Sequence, residues 1–270
     1  MTTPLPIFQV DAFAERPFTG NPAAVMPLNE WLPDEVMQAI GAENNLAETA
    51  FTVPSERDDA DFDLRWFTPT VEIAMCGHAT LGAAHILLHG ERIRFATRSG
   101  ILTVTRDADD PTLLKLDMPS APPEPAEMPE LLEALGVNGE TFISRTGNGN
   151  AIVLLGDESA VRAVGPDFLA LRKLPYLVSV TAPGENQDVA SRVFAAYHGI
   201  DEDPVTGSAH TALVPFWAGR LGRHRFTALQ ASKRTGLIDC ELRSAPADAG
   251  GDRVILGGHA VTVIEGYFQI

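Results

Sequence analysis

The chain has 270 residues, with 20 Lys and Arg against 36 Asp and Glu, for a formal charge of −16. At 45% apolar and 21% charged residues it has a globular composition, long enough for one large or two modest domains whose core needs no disulfide or metal staple. So acidic a chain, without a basic run, lacks the surface that neutralises phosphates; nucleic acid is excluded and an anionic membrane disfavoured as partner.

From the N-terminus, alternation of apolar and polar residues predicts strands at Ile7–Phe13, Ala47–Val53 and Asp61–Thr68. Between the first two, a helix at Asp34–Ile40 starts after Pro33 and stops at Gly41. The run Ile73–Gly90 has no Lys, Arg, Asp or Glu but carries three His and three Gly, so it reads as a buried helix, Ala79–His89, with its entry turn and not as a membrane span. Strands follow at Ile101–Arg106 and Leu113–Met118. Pro119–Pro129, PSAPPEPAEMP, holds five prolines, cannot enter a sheet interior, and marks the domain boundary. Next come a helix at Met128–Leu135 closed by Gly136, strands at Thr141–Arg145 and Ala151–Leu155, and a helix at Pro166–Leu174. Strands at Leu177–Thr181 and Val193–Tyr197 precede a second apolar helix, Ala209–Ala218, ended by Gly219 and expected to be kinked or shortened by Pro215. Strands at Ile238–Arg243, Val254–Leu256 and Ala260–Ile264 complete the chain. Both apolar helices are apolar on nearly every face, as in a helix surrounded by sheet.

A weak internal repeat accompanies this order. Thr19-Gly20-Asn21 resembles Thr146-Gly147-Asn148, and the helix entry Cys76-Gly77-His78 resembles Thr206-Gly207-Ser208, at nearly the same separation of ~130 residues. Together with the proline linker it predicts two similar α+β lobes, each a mostly antiparallel curved sheet around one central helix, meeting at a cleft.

Three places carry side chains suited to chemistry. Glu48, in Asn45-Leu46-Ala47-Glu48-Thr49-Ala50-Phe51, sits among small and apolar neighbours that would desolvate a carboxylate and tune it for proton transfer; an outward-facing strand residue is the competing reading. His78 stands at the mouth of the first apolar helix, where unpaired N–H groups attract anions, and could carry a proton or be structural. Cys76 lies where a helix start could lower a thiol pKa, or is a buried filler. Asp203 and Ser208, in Asp201-Glu202-Asp203-Pro204-Val205-Thr206-Gly207-Ser208, could face a ligand at the second helix mouth; the alternative is a solvated acidic turn with Ser208 or Thr206 as cap. Paired helix mouths would form an anion site able to bear charge beside a substrate carboxylate.

Other chemistries fail on spacing. His85 and His89 lack the glutamate of a zincin helix, Asp201-Glu202-Asp203 lacks a calcium loop's alternation, and neither GxGxxG, a Walker loop nor a GxSxG elbow occurs. Lysine is confined to Lys115, Lys173 and Lys233, which leaves Schiff-base chemistry few candidates. Two cysteines far apart, Cys76 and Cys240, form neither a disulfide framework nor a zinc motif. The expectation is no metal, no cofactor and, with no leader-like opening, a cytoplasmic location.

The stretches FQVDAFAERPFTGNPAAV, NNLAETAF, RWFTPTVEIAMCGHATLGAAH and GIDEDPVTGSAHTAL resemble the PhzF family of phenazine-biosynthesis-like isomerases, within the diaminopimelate-epimerase-like superfamily. The resemblance spans nearly the whole chain. It implies a cofactor-independent isomerase with a first lobe over residues 1–118, to which the last strand, Gly266–Ile270, returns, a second lobe over 119–265, and a homodimer. It further implies that Glu48 is the acid/base carboxylate, that His78 and Asp203 assist it, and that Gly77, Gly207 and Ser208 bind a small carboxylate substrate. Racemases of the superfamily use two facing cysteines; here the second helix entry offers Thr206 and Ser208 and no thiol, which speaks against a two-thiol racemase. An epimerase using Cys76 with Glu48, or a binding protein without chemistry, are the remaining readings.

Overall fold

The computed structural model describes residues 4–145, 149–245 and 251–270, and the chain divides into two units: Met1–Asp117 with Gly257–Ile270, and Met118–Leu256. The first contains β1 (Pro4–Ala12), β2 (Asn21–Pro27), α1 (Asp34–Asn44), β3 (Glu48–Pro54), β4 (Phe62–Phe67), β5 (Glu72–Ile73), α2 (Gly77–Leu87), β6 (Arg92–Thr97), β7 (Gly100–Arg106) and β8 (Leu114–Pro119). β1 and β2 pair antiparallel, β2 and β3 parallel, β3 and β4 antiparallel, β4 and β6 parallel, and β6, β7 and β8 antiparallel in turn. The C-terminal strand, Ala260–Gln269, runs antiparallel along the whole of β1. It therefore joins the first unit over a longer stretch than Gly266–Ile270, and the second unit ends at Leu256, not at residue 265.

α2 packs on β1, β2 and β3, and every residue from Gly77 to Ala84 is buried. Its small side chains permit that approach: a Cβ on Gly82 would already touch Val10 and Val25. On α1's side of the unit, Met26, Met37, Ile40, Phe51 and Phe67 form a compact apolar cluster, each such side chain contributing roughly 1.5–3 kcal/mol.

The second unit contains β9 (Glu124–Pro125), α3 (Pro129–Leu135), β10 (Glu140–Ser144), β11 (Asn150–Leu154), α4 (Glu158–Ala163), α5 (Phe168–Leu171), β12 (Leu177–Pro183), β13 (Val189–Ala195), β14 (Ile200–Asp203), α6 (Gly207–Leu221), β15 (Arg225–Gln230), β16 (Gly236–Arg243) and β17 (Arg253–Gly258). Its pairings reproduce those of the first: β10 and β11 antiparallel, β11 and β12 parallel, β12 and β13 antiparallel, β13 and β15 parallel, β15 and β16 antiparallel. In both units a short antiparallel strand, β5 or β14, leads into the small-residue helix. The fold is α+β, two units of one plan.

The repeat differs in register from the sequence alignment. Thr146, Gly147 and Asn148 lie outside the described residues, and the residue that opens β11 as Asn21 opens β2 is Asn150. Gly20, just before β2, has φ +66° and its missing Cβ would collide with the Ala12 carbonyl, so only glycine turns the chain there and sets Asn21 in place.

Several predicted ends move. α1 runs through Gly41 to Asn44 and stops at Asn45 in the left-handed region; Gly41 serves instead for close approach to Phe67 and Thr68. The helix expected over Pro166–Leu174 is reduced to Phe168–Leu171. Ala196–His198 is a 3-10 turn, so the strand predicted at Val193–Tyr197 ends at Ala195. α2 and α6 begin two residues early, at their glycines, and α6 passes Pro215 and Gly219 to close at Gly222. Pro215 cannot bond the carbonyl of Thr211; the backbone N–H of Ala121, from the proline-rich segment, takes that carbonyl at 2.9 Å. Among the described residues no helix is long and apolar enough to cross a membrane.

Candidate active site

Glu48 is the first residue of β3, paired in parallel register with Ala23 of β2. A parallel pair inside a sheet is covered on both faces, which explains why the whole of Glu48–Val53 is buried and why Glu48, only 8% exposed, does not point to solvent. What it meets is the entry of α2. His78 Nε2 approaches Glu48 Oε2 to 3.0 Å, an ion-pair distance lying off the hydrogen-bond direction, and both atoms are otherwise buried without a partner. On the other side of the ring, Asn21 Nδ2 lies 3.2 Å and Cys76 Sγ 3.6 Å from Nδ1. Asn21 thus fixes the imidazole, a role that the sequence reading did not give it.

The charges follow from this packing. Burial alone would keep His78 neutral, but its contacts with Cys76 and Glu48 prevail, and the imidazole is held well above its ordinary pKa. Burial, seconded by Glu48, pushes the Cys76 thiol up. That reverses the expectation of a thiol activated by the helix start. Cys76 is the N-cap of α2 and makes no side-chain cap bond.

Glu48, Cys76 and His78 each offer a ligand atom within 4.8 Å of the others. Motif spacing gave no metal site because Glu48 comes from a different element than the Cys76-Gly77-His78 turn.

In the second unit, β14 gives the three acidic residues different surroundings. Asp201 pairs with Arg172 and Glu202 with Arg192, each at 2.7 Å, whereas Asp203 turns inward and is buried. Asp203 Oδ2 accepts the Thr206 hydroxyl at 2.6 Å. Fully buried Gln230 of β15 ties the loop together: its Nε2 donates to the Asp203 carbonyl at 2.7 Å and its Oε1 accepts from Thr206 N at 2.8 Å. Thr206 is the N-cap of α6 but does not cap it by its side chain. Ser208 is half-buried, and its carbonyl accepts from Asn150 Nδ2 at 3.2 Å. The solvated acidic turn is therefore not what forms. His210 Nδ1 bonds the Thr206 carbonyl at 2.8 Å, and burial lowers this imidazole to about 4. Gln230, Asn150 and His210 were missed: a glutamine at a strand end carries no motif, and Asn150 was hidden by the shifted repeat.

A family model described as phenazine biosynthesis-like protein matches residues 10–266. The chain belongs to this PhzF-like family. It is 48% identical to an uncharacterized isomerase of Pseudomonas aeruginosa, over 98% of this chain and 99% of the relative. A PhzF-family crystal structure from Enterococcus faecalis superposes with a TM-score of 0.88 at 41% identity, covering 99% of this chain and all of that one (100%). A structure of a probable proline racemase from Agrobacterium radiobacter, 13% identical, covers 98% of this chain and 92% of its own with a TM-score of 0.64 and shares the fold.

Proposed function

We propose that this PhzF-like chain is a cofactor-independent isomerase that moves a proton within a small carboxylate-bearing metabolite. The observation that carries the reading is the buried Glu48 carboxylate held 3.0 Å from His78 Nε2 beside an uncapped helix start. Glu48 removes a proton from carbon and returns it at another position, which one carboxylate can do while the substrate stays bound. His78, oriented by Asn21, holds a substrate amine or hydroxyl and sets the protonation of Glu48. Gly77 binds a carboxylate through its helix start, and Gly207 and Ser208 offer the same kind of anion-binding start in the second unit. Asp203, held by Thr206 and Gln230, binds a second polar group of the substrate. The printed name of the Pseudomonas relative, isomerase, supports this class. The family resemblance supports a homodimer.

The test is a metabolite screen in deuterated water read by mass spectrometry. Wild-type protein should introduce deuterium on carbon in its substrate, and Glu48→Gln should lower the rate by about 10²–10⁴-fold. Turnover unchanged in Glu48→Gln would refute the assignment. A second reading, epimerisation by Cys76 and Glu48, draws on the Sγ to Nδ1 approach of 3.6 Å. Label entering at a stereocentre that inverts, and lost in Cys76→Ala, would favour it.

A further inference from the structure

We infer that the second unit carries a further ligand site, an open groove between β9, α3 and β10 that takes a small amphipathic organic cation, an ammonium on an aromatic or alkyl body. The site is independent of Glu48 and of the reaction proposed for it.

The groove has a volume of about 610 Å³, a size common among small-molecule sites. β9 joins the edge of β10 for only two residues, opposite Phe142 and Ile143, before the chain turns into α3. α3 sends Leu131, Ala134 and Leu135 into the core of the unit. Met128 and Leu132 pack at the margin of that core, half-buried, and line the groove with Pro125, Pro129 and Phe142. The polar groups of this lining are acceptors. Pro125 and Pro129 have no N–H, Ala126 N donates to the Thr141 carbonyl at 3.0 Å, and the Thr141 hydroxyl donates to the Ala126 carbonyl. The remaining polar side chains are the exposed carboxylates of Glu127 and Glu140. No countercharge lies near them in the chain: from Pro119 to Ser144 it carries Glu124, Glu127, Glu130, Glu133 and Glu140 and no lysine, arginine or histidine. Glu124 approaches Arg145 at 3.8 Å, but among the described residues the other four make no ion pair. Arg220, whose guanidinium lies 5.0 Å from the Phe142 ring and 3.7 Å from that of Phe216, pairs with neither glutamate of the groove. An apolar surface that offers acceptors and negative charge complements a donor cation with an apolar body, and it repels carboxylates. Two carboxylates suit one cationic centre, not a polybasic partner.

The probes share one body and differ in charge: 2-phenylethylammonium, 2-phenylethanol and 3-phenylpropionate, each titrated into the intact, isotope-labelled chain and followed by amide chemical shifts. The ammonium should bind once per chain with a Kd below about 1 mM at low salt, with shifts centred on residues 125–142. The alcohol should bind about 10-fold more weakly, and the carboxylate more weakly still. Added salt should weaken the ammonium and leave the alcohol unchanged. Glu127→Gln combined with Glu140→Gln should weaken the ammonium by about 10-fold, and Leu132→Ala by about 3-fold. Glu30→Gln, an exposed glutamate of the first unit, should leave it unchanged. No binding of the ammonium, equal binding of the ammonium and the carboxylate, or undiminished binding in the double variant would overturn the site. A lysine-rich peptide that binds these residues where 2-phenylethylammonium does not would overturn the small-molecule assignment.

Discussion

At Gly77 and at Gly207 a helix begins after an extended residue whose side chain does not cap it. An asparagine opening the equivalent strand reaches the second helical residue, Asn21 to His78 and Asn150 to Ser208. The fourth helical residue bonds back to the N-cap carbonyl, Thr80 to Cys76 and His210 to Thr206. On this shared scaffold the first unit places a carboxylate, an imidazole and a thiol whose hydrogen bonding is incomplete. The second places a carboxylate bonded by the Thr206 hydroxyl in a loop tied by Gln230, with Asn150 Oδ1 and His210 Nε2 left buried without a partner. An unsatisfied carboxylate facing an unsatisfied imidazole is expensive in a buried setting and persists where the groups act; the bonds of Asp203, Thr206 and Gln230 hold a loop in shape. In the proposed reading the first mouth transfers the proton and the second positions the substrate.

The sharpest way to break that contrast is to neutralise each carboxylate in turn. Glu48→Gln should lower kcat by about 10²–10⁴-fold with thermal stability retained, whereas Asp203→Asn should act more on KM; equal kcat losses would erase the distinction. Next is pH. His210 binds a proton near 4 in the folded chain and near 6.5 when unfolded, so the unfolded state takes up protons first as pH falls. The His210 contribution to stability should be full above about pH 6.5 and decline by up to about 3 kcal/mol towards pH 4, and His210→Gln should flatten that decline in urea titrations at several pH values. Gln230→Leu leaves Thr206 N and its neighbours without their partner and should cost about 1–3 kcal/mol in the same titrations while raising KM. The smallest effect is expected at the asparagines. Asn150→Ala should lower stability by about 1 kcal/mol, and Asn21→Ala should show in turnover more than in stability. The opposite pattern would contradict the roles given to the two mouths.

Much of this was legible in the sequence. The small-residue helices, the proline boundary and the residues Glu48, Cys76, His78, Asp203 and Ser208 all stand in recognisable stretches. What escaped had physical causes. Asn21–Pro27 does not alternate, because a strand in a parallel pair with helix on one face buries both sides, and a rule built on alternation passes over it. Arg92–Thr97 and Arg225–Gln230 do alternate, but their inward residues are few, with Ala228 a weak signal. Pro215 leaves the Thr211 carbonyl without its helical donor, and Ala121 supplies one from another part of the chain, a compensation that local rules do not contain. The same holds for Gln230, whose three contacts come from residues more than twenty positions away.

The most direct test of the central claim is deuterium uptake at carbon at saturating substrate, compared between wild type, Glu48→Gln and the remote control Cys240→Ser. The account predicts wild-type rates for Cys240→Ser and a fall of about 100-fold or more for Glu48→Gln, with unfolding curves unchanged. Wild-type uptake in folded Glu48→Gln would contradict it.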